Sequence, residues 1–374
     1  MTLSYEEIRR ILRKIEFDKT EPKLLIKLVN KAIEIGEKER HKINRMKQKT
    51  EKLFNFLQDK DILLELKPDE SLINSLREVA VGAVDGSFQV ISGSGGHWFT
   101  FLGISMILAK YGFTTNPEVN VDGMIETFKC ADEARARRVS SEIMMWSETK
   151  ALRKLCEKLI GHREPCILID GPIVDPPLLK DPSYINFRTS AMKFCINNNV
   201  SVVGFVKRIM GNEFIKFLQS NFDEQLDLSP FSSDIDLLSG ILHLALLRFS
   251  NPIYTKPVHV LDFLEKSDPR YEVYSLYERH GVKIYHSYYK PTLRSKIYRI
   301  ELASISTLTD NELKEVFDRI LLLIRYVWTL PGMNEPLPII LAHEKCNIRQ
   351  GAAEKLYYEV ITRSLTEEEA YLWL

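Results

Sequence analysis

Two short apolar runs, each ending in Asp-Gly, constrain the fold of this chain more than any other feature. The first is Val79-Ala-Val-Gly-Ala-Val-Asp85-Gly-Ser-Phe88, and the second is Cys166-Ile-Leu-Ile-Asp170-Gly-Pro172. Their length and apolar, β-branched character predict buried strands that stop at a turn. If the two strands lie side by side, Asp85 and Asp170 meet at one sheet edge, where their repulsion favours a divalent cation between them. The alternative is that each Asp-Gly is only a turn, since both residues favour turns.

Composition excludes several other classes of protein. The 374 residues include 51 Lys and Arg against 51 Asp and Glu, so a nucleic acid would have to bind a local basic patch. Hydrophobic residues make up 45% of the chain, enough for one large domain with an appendage or for two domains. The five cysteines are widely spaced, which is typical of neither a disulfide framework nor a zinc site.

The sequence also predicts a protein without a membrane partner. No apolar run reaches the roughly 20 residues needed to span a bilayer. The N-terminal segment Met1-Thr-Leu-Ser-Tyr-Glu-Glu is charged rather than signal-like. We therefore expect a cytoplasmic location.

Residues 1–78 are predicted to form an N-terminal helical region. Ser4 and Glu7 have capping-box spacing, and Pro22 suits the first turn of a second, long helix. Over residues 38–52 this helix carries seven Lys or Arg against two Glu. Such a basic segment can lie along a phosphate backbone or form a solvated helix face.

The next part of the chain is predicted to be a meander of strands followed by a helix. Strand-like runs over 85–123 precede a continuous amphipathic pattern over 131–160. Within that helix Glu148 falls on the apolar face, where a carboxylate is costly unless it is paired, protonated or bound to metal. Glu142, on the flank, is the second candidate. An ion pair with an arginine of the same helix is the structural alternative.

A third buried strand, over 200–206, is followed by two cations. Lys207 can face the acids and hold a phosphate, or it can lie exposed with Arg208 at the strand end. Residues 211–270 have mostly helical patterns and are predicted to form a helical insertion or lid.

Strands are predicted again over 273–277, 282–289 and 297–303. Around the last two, cations alternate with tyrosines: Lys290, Arg294, Lys296 and Arg299 lie among Tyr288, Tyr289 and Tyr298. Cations match phosphates and aromatic rings match base faces, so this pattern suits a nucleic-acid strand. Side chains along an exposed edge strand would explain the same pattern nearly as well.

The last part of the chain is predicted as a helix over 311–328, an apolar strand over 337–343 and a closing helix over 350–363. His343 ends the predicted strand. A histidine at that point is a candidate metal ligand or acid–base group, although a lone histidine is often structural.

Taken in order, these motifs resemble the NurA nuclease family of archaea and some bacteria. They are Ala83-Val-Asp85-Gly-Ser87, Glu148 on a helix, Leu168-Ile-Asp170-Gly-Pro172, Val206-Lys207-Arg208 and Leu341-Ala-His343. The resemblance covers residues 79–364 and leaves 365–374 as a tail. It implies an α/β fold with an RNase H-like mixed central sheet flanked by helices and related to the Piwi nuclease domain.

The resemblance further implies a Mn²⁺- or Mg²⁺-dependent deoxyribonuclease. Such enzymes digest single- and double-stranded DNA from its ends with 5′ to 3′ polarity and also cut single strands internally. Family members form homodimers that dock on a hexameric HerA-type ATPase translocase. Together they act in DNA end resection during recombinational repair of double-strand breaks.

Carried over to this chain, the family's acid triad falls on Asp85, Glu148 and Asp170, and its C-terminal histidine on His343. Carboxylates with one histidine suit a pair of Mn²⁺ or Mg²⁺ ions better than zinc. Lys207 is assigned to neutralise charge on the phosphate. The residues assigned to substrate contacts are Arg208, Tyr289, Arg294 and Lys296.

One departure from the family is visible at Glu335-Pro336, where members often have Tyr-Pro. Tyr288 or Tyr289 would then have to supply the aromatic ring. The departure keeps open a second function, a non-cleaving DNA-binding adaptor for a translocase ring, although the complete set of acids favours cleavage. A third reading is an actin-like phosphotransferase; it requires further Gly-rich phosphate loops, and none that is convincing follows the later strands.

Overall fold

The computed structural model of the protein describes residues 21–174, 180–222, 226–229 and 231–364. The predicted capping box at Ser4 and Glu7 and the predicted tail at 365–374 lie outside these residues. Among the described residues, no helix has both the length and the apolar character needed to cross a bilayer.

The described residues form helices on both faces of one large sheet. The helices are α1 (Pro22–Asp59), α2 (Glu70–Leu76), α3 (Glu133–Leu159), α4 (Pro182–Asn197), α5 (Glu213–Phe222), α6 (Asp234–Arg248), α7 (Pro269–Arg279), α8 (Asp310–Leu322), α9 (Leu337–Cys346) and α10 (Gln350–Ser364). The strands are β1 (Leu63–Glu65), β2 (Val81–Ser92), β3 (His97–Ala109), β4 (Glu118–Lys129), β5 (Cys166–Ile169), β6 (Ser201–Val206), β7 (Ile253–Thr255), β8 (Val258–His259), β9 (Lys283–Lys290) and β10 (Tyr298–Ser304).

The sheet is mixed, and its strand order is β1-β7-β9-β10-β6-β5-β2-β3-β4, with β8 paired to β9. Within it, β2, β3 and β4 form an antiparallel meander, and β5 then returns parallel to β2 with β6 parallel to β5. The helix α3 connects the meander to β5, as the sequence predicts. The expected RNase H-like mixed sheet flanked by helices is confirmed.

The strand β2 does not stop at Asp85, contrary to the prediction from its Asp-Gly pair. It stays paired with β3 over its whole length, and Asp85 lies opposite Ser105. On its other side, pairing with β5 ends at Val84 opposite Ile169. Asp85 therefore lies within an antiparallel ladder but at the carboxyl end of the parallel one, because β5 is the shorter strand.

The described part of the N-terminal region, residues 21–78, is mostly helical but contains β1, which pairs with β7 at one edge of the sheet. Residues 211–270 are likewise not purely helical, because β7 and β8 follow α6 and both pair with β9. Apolar residues of α1, α5 and α6 pack together into a separate cluster. The insertion thus joins the N-terminal arm and extends the sheet.

Two predicted strands are helices, and in both cases proline explains the difference. The segment 273–277 lies in α7, where the Asp268 carboxylate caps the helix and Pro269 occupies its first turn. The segment 337–343 lies in α9, which begins after Pro336 and has Pro338 in its first turn. A short apolar run fits a buried strand or a buried helix equally well, so only the proline distinguishes the two here.

Two apolar cores lie on opposite faces of the sheet. One is built from α3, α4 and α7 against the strands, and the other from α8 and α9. The strand β2 thus lies between α3 on one face and α9 on the other, and the Asp85 side chain is on the face that α9 covers.

Candidate metal centre

The carboxylates of Asp85 and Asp170 lie side by side at the carboxyl ends of β2 and β5. The Asp170 N–H donates to the Val84 carbonyl at 3.1 Å, which fixes the register of the two strands. Asp85 is 6% exposed and Asp170 is similarly buried. The expectation that the two strands bring these acids together is confirmed geometrically.

His343 joins the two acids from α9. Its Nδ1 is 2.9 Å from Asp85 Oδ2 and 3.6 Å from Asp170 Oδ2. Each of the three residues offers one ligand atom, and these atoms all lie within 4.8 Å of one another. Two carboxylates and an imidazole at this separation fit a divalent cation that prefers oxygen, such as Mn²⁺ or Mg²⁺.

The electrostatics of Asp170 also fit a cation. Burial, followed by the repulsion of Asp85, raises the pKa of Asp170 to about 6, although Lys207 and His343 act in the opposite direction. The two acids are thus incompletely compensated by the neighbouring cations. A divalent ion bound here would supply the missing positive charge.

Hydrogen bonds hold the end of α9 against β2 and β3. Ser105 Oγ donates to the Ala342 carbonyl at 2.6 Å, and Ser87 Oγ donates to the Cys346 carbonyl. Burial and the charge of Asp85 raise the pKa of the Cys346 thiol, which donates to Asp85 Oδ2 at 3.4 Å. These contacts fix His343 relative to Asp85.

A glycine permits this close approach. A Cβ atom built on Gly103 of β3 would lie 2.3 Å from the Cys346 carbonyl oxygen. Any side chain at that point would push α9 away from the sheet. Sequence reasoning missed Ser87, Ser105 and Gly103, since nothing in the local pattern links them to a helix far along the chain.

Glu148 lies next to this cluster without belonging to it. It is 7% exposed on α3, and a Cβ atom built on Gly86 would be 2.7 Å from its Oε1. Its carboxylate therefore sits over the residue that follows Asp85, but outside the group of ligand atoms within 4.8 Å. The second candidate, Glu142, pairs instead with Arg138 at 3.2 Å.

Lys207 faces the acids, at the end of β6. Its Nζ is 2.7 Å from Asp170 Oδ2 and 3.8 Å from Glu335 Oε2. Together these residues line a cleft of about 830 Å³ that also contains Asp85 and His343.

The residues expected to contact substrate are divided between the surface and the core. Arg208 and Lys296 are exposed and line the cleft, whereas Arg294 is exposed but is not among the lining residues. Tyr289 is 1% exposed and packs in the apolar core, so it offers no face to a base and this assignment is wrong. Tyr288 is equally buried and its hydroxyl bonds to Asp234.

The burial of the tyrosines has a simple cause. The strand β9 is interior to the sheet and covered on both faces, so alternating tyrosines point into two different cores. Among the neighbouring cations, Lys290 donates to the Ser295 carbonyl, and Arg299 pairs with Glu301 at 2.7 Å. This cation and tyrosine pattern is therefore largely internal.

A buried ionic network that the sequence did not indicate forms the inner wall of the cleft. Arg270 pairs with Glu213 at 2.8 Å, and Arg299 bridges toward both Glu213 and Glu301. Glu301 Oε2 also accepts the Ile173 N–H at 2.7 Å, which restrains the loop that follows Asp170. Arg299 and Glu301 are neighbours on β10, but Glu213 and Arg270 come from other elements, so no sequence spacing reveals the network.

Comparison with known proteins agrees with this geometry. The model of the NurA domain matches residues 79–348, which is more than half of the chain. The chain belongs to the NurA family. A comparison with curated protein sequences finds no match.

One solved structure of a NurA shows the same fold, and two others are less similar. This chain is similar to a solved structure of NurA bound to dAMP and manganese. The TM-score is 0.50 and the identity is 15%, over 90% of this chain and 98% of that one. A second NurA structure has a TM-score of 0.42 and 14% identity over 84% and 97%. The catalytic domain of human endonuclease V has a TM-score of 0.34 and 13% identity over 86% and 98%.

Proposed function

We propose that this NurA-family protein is a Mn²⁺- or Mg²⁺-dependent deoxyribonuclease that hydrolyses phosphodiester bonds. The observation that carries the proposal is the meeting of Asp85, Asp170 and His343 in one cleft beside Lys207. The similar NurA structure that holds dAMP and manganese supports both the nucleotide and the metal. We extend the proposal to 5′ to 3′ exonuclease and single-strand endonuclease activity, which rest on the family resemblance.

Each residue of the cleft has a proposed role. Asp85, Asp170, Glu148 and His343 would hold the ions of a two-metal site, with Asp85 serving both, Asp170 and Glu148 one each, and His343 completing the second. When bound, such ions clamp the scissile phosphate, activate a water and stabilise the leaving oxygen.

The cations of the cleft act on the substrate. Lys207 neutralises phosphate charge as it develops in the transition state. Arg208 and Lys296 are exposed at the same cleft and are placed to meet flanking phosphates. Arg294, outside the lining, would contact DNA only beyond the cleft.

The test is cleavage of end-labelled linear DNA with Mn²⁺, Mg²⁺ or EDTA. Asp85→Asn is expected to abolish metal-dependent digestion. Asp122→Asn is the matched control, because Asp122 also precedes a glycine whose N–H it accepts, at 2.9 Å, but lies exposed on β4. Salt-dependent DNA binding without cleavage in any metal would instead indicate the adaptor function, and addition of a HerA-type ATPase would separate an adaptor from a nuclease that needs its partner.

We further propose that the protein forms a homodimer and works with a HerA-type ATPase in DNA end resection in the cytoplasm. Support for the dimer comes from β4, the last strand of the sheet, which exposes Val119, Val121 and Ile125. A long free edge with apolar side chains is a template for another strand. Val121→Lys is expected to give a monomer by analytical ultracentrifugation; an unchanged dimer would place the interface elsewhere.

A further inference from the structure

Glu335 shares the ammonium of Lys207 with Asp170. Lys207 Nζ is 2.7 Å from Asp170 Oδ2 and 3.8 Å from Glu335 Oε2. Glu335 directly precedes the N-cap Pro336 of α9, the helix that carries His343. One cation thus stands between a proposed metal ligand and a second carboxylate that the metal cluster does not include.

The two acceptors differ in their surroundings. The Asp170 side chain is 5% exposed, whereas those of Lys207 and Glu335 are 24% and 28% exposed. The buried Tyr298 hydroxyl lies near the Glu335 carboxylate, and burial and this negative charge both raise the pKa of Tyr298. Tyr298 and Lys207 thus both face the Glu335 carboxylate.

A divalent ion bound at Asp170 would compete with the Lys207 ammonium for the same carboxylate. The Oδ2 atom that accepts from Lys207 is also the one nearest His343, at 3.6 Å. A divalent ion bound to Asp170 would repel an ammonium a few ångströms away. Displacement of a half-buried ammonium is costly unless another acceptor lies within reach.

We propose that Glu335 is a positioning residue that accepts the Lys207 ammonium when a divalent cation binds Asp170. Glu335 thereby favours metal binding and keeps Lys207 inside the cleft, where it can meet a phosphate. This inference rests on the proposed metal site at Asp85, Asp170 and His343. It concerns the position at which this chain departs from the Tyr-Pro of its family.

The test is a double-mutant cycle on Mn²⁺ affinity, measured in the absence of DNA by calorimetric titration of the full chain. Glu335→Gln is expected to weaken Mn²⁺ binding about fivefold when Lys207 is present, the size of a partly exposed ion pair. In the Lys207→Met background the same change is expected to cost about twofold or less, because Glu335 then has no ammonium to accept. Glu315→Gln, exposed on α8 and not among the residues lining the cleft, controls for the loss of one negative charge.

The outcomes are distinguishable. Equal losses in both backgrounds would mean that Glu335 binds the metal or acts as a distant charge, and either would overturn the inference. An unchanged affinity for Glu335→Gln would overturn it as well. If wild-type protein shows no Mn²⁺ binding that Asp85→Asn removes, the proposed metal site itself fails, and the inference falls with it.

Discussion

Replacement of Gly103 by alanine tests whether the close packing of α9 against the sheet positions His343 beside Asp85. The added Cβ would lie 2.3 Å from the Cys346 carbonyl oxygen. Carbon and carbonyl oxygen normally approach to roughly 3.3 Å. The helix must therefore retreat by about 1 Å, because the clash is with backbone and no rotamer change relieves it.

Two consequences follow for Gly103→Ala. Overpacking of this kind costs about 1–3 kcal/mol of unfolding free energy. A 1 Å displacement of His343 from Asp85 is expected to lower kcat/KM for DNA cleavage by about 100-fold. Urea denaturation measures the first effect, and cleavage of end-labelled DNA, corrected for the folded fraction, measures the second.

The matched control lies directly opposite on the next strand. Gly123 pairs with Gly103 in the β3–β4 ladder, and a Cβ there would meet its nearest atom at 3.9 Å, an ordinary contact. Gly123→Ala should therefore resemble wild type. If Gly103→Ala cleaves within about threefold of Gly123→Ala, the position of α9 does not depend on this glycine and the reasoning is refuted.

Two other predictions concern Asp170 and Tyr289. The pKa of Asp170 is raised to about 6, so its carboxylate is increasingly protonated below that pH. Mn²⁺ affinity should therefore fall as pH drops from 7 to 5 and level off above 7 in calorimetric titrations. An affinity that does not change with pH would contradict this. The same shift means that the metal-free protein loses stability as pH rises through about 6, since the folded state then binds more protons than the unfolded one. The Tyr289 hydroxyl is buried without a hydrogen-bond partner among the described residues, so Tyr289→Phe should keep DNA affinity and cleavage unchanged and leave the urea midpoint equal or higher. Loss of DNA binding in that variant would restore the substrate role assigned from sequence.

The strands and the helix that carry the acids were predictable because their signals are local. Apolar runs of strand length mark β2, β5 and β6, and a long uninterrupted periodic pattern marks α3. The proximity of Asp85 and Asp170 follows once β2 and β5 are parallel neighbours, although β2 itself continues past Asp85. The sequence also indicated His343 as a candidate ligand, but at the end of a strand, whereas the structure places it on α9.

The tyrosines of β9 show where such reasoning fails. Alternation with cations indicates that two faces differ, but it does not indicate that either face meets solvent. Whether Tyr289 is exposed depends on β7 and β10, which flank β9, and on the helices that cover it. The same holds for Arg299, whose partner Glu301 is close in sequence but whose second partner Glu213 is on another element.

Glu335 is marked by a local sequence signal, but its role depends on tertiary contacts. The sequence marks it as a departure from the family, yet its chemistry depends on Lys207 and Tyr298, which come from other strands. Tyr288 and Tyr289 are buried and cannot replace the family's aromatic ring at the cleft. A ring would have offered a stacking face to a base, whereas a carboxylate offers a second site for an ammonium. On the proposed function, Glu335 at this position replaces a direct contact with the substrate by control over the Lys207 ammonium.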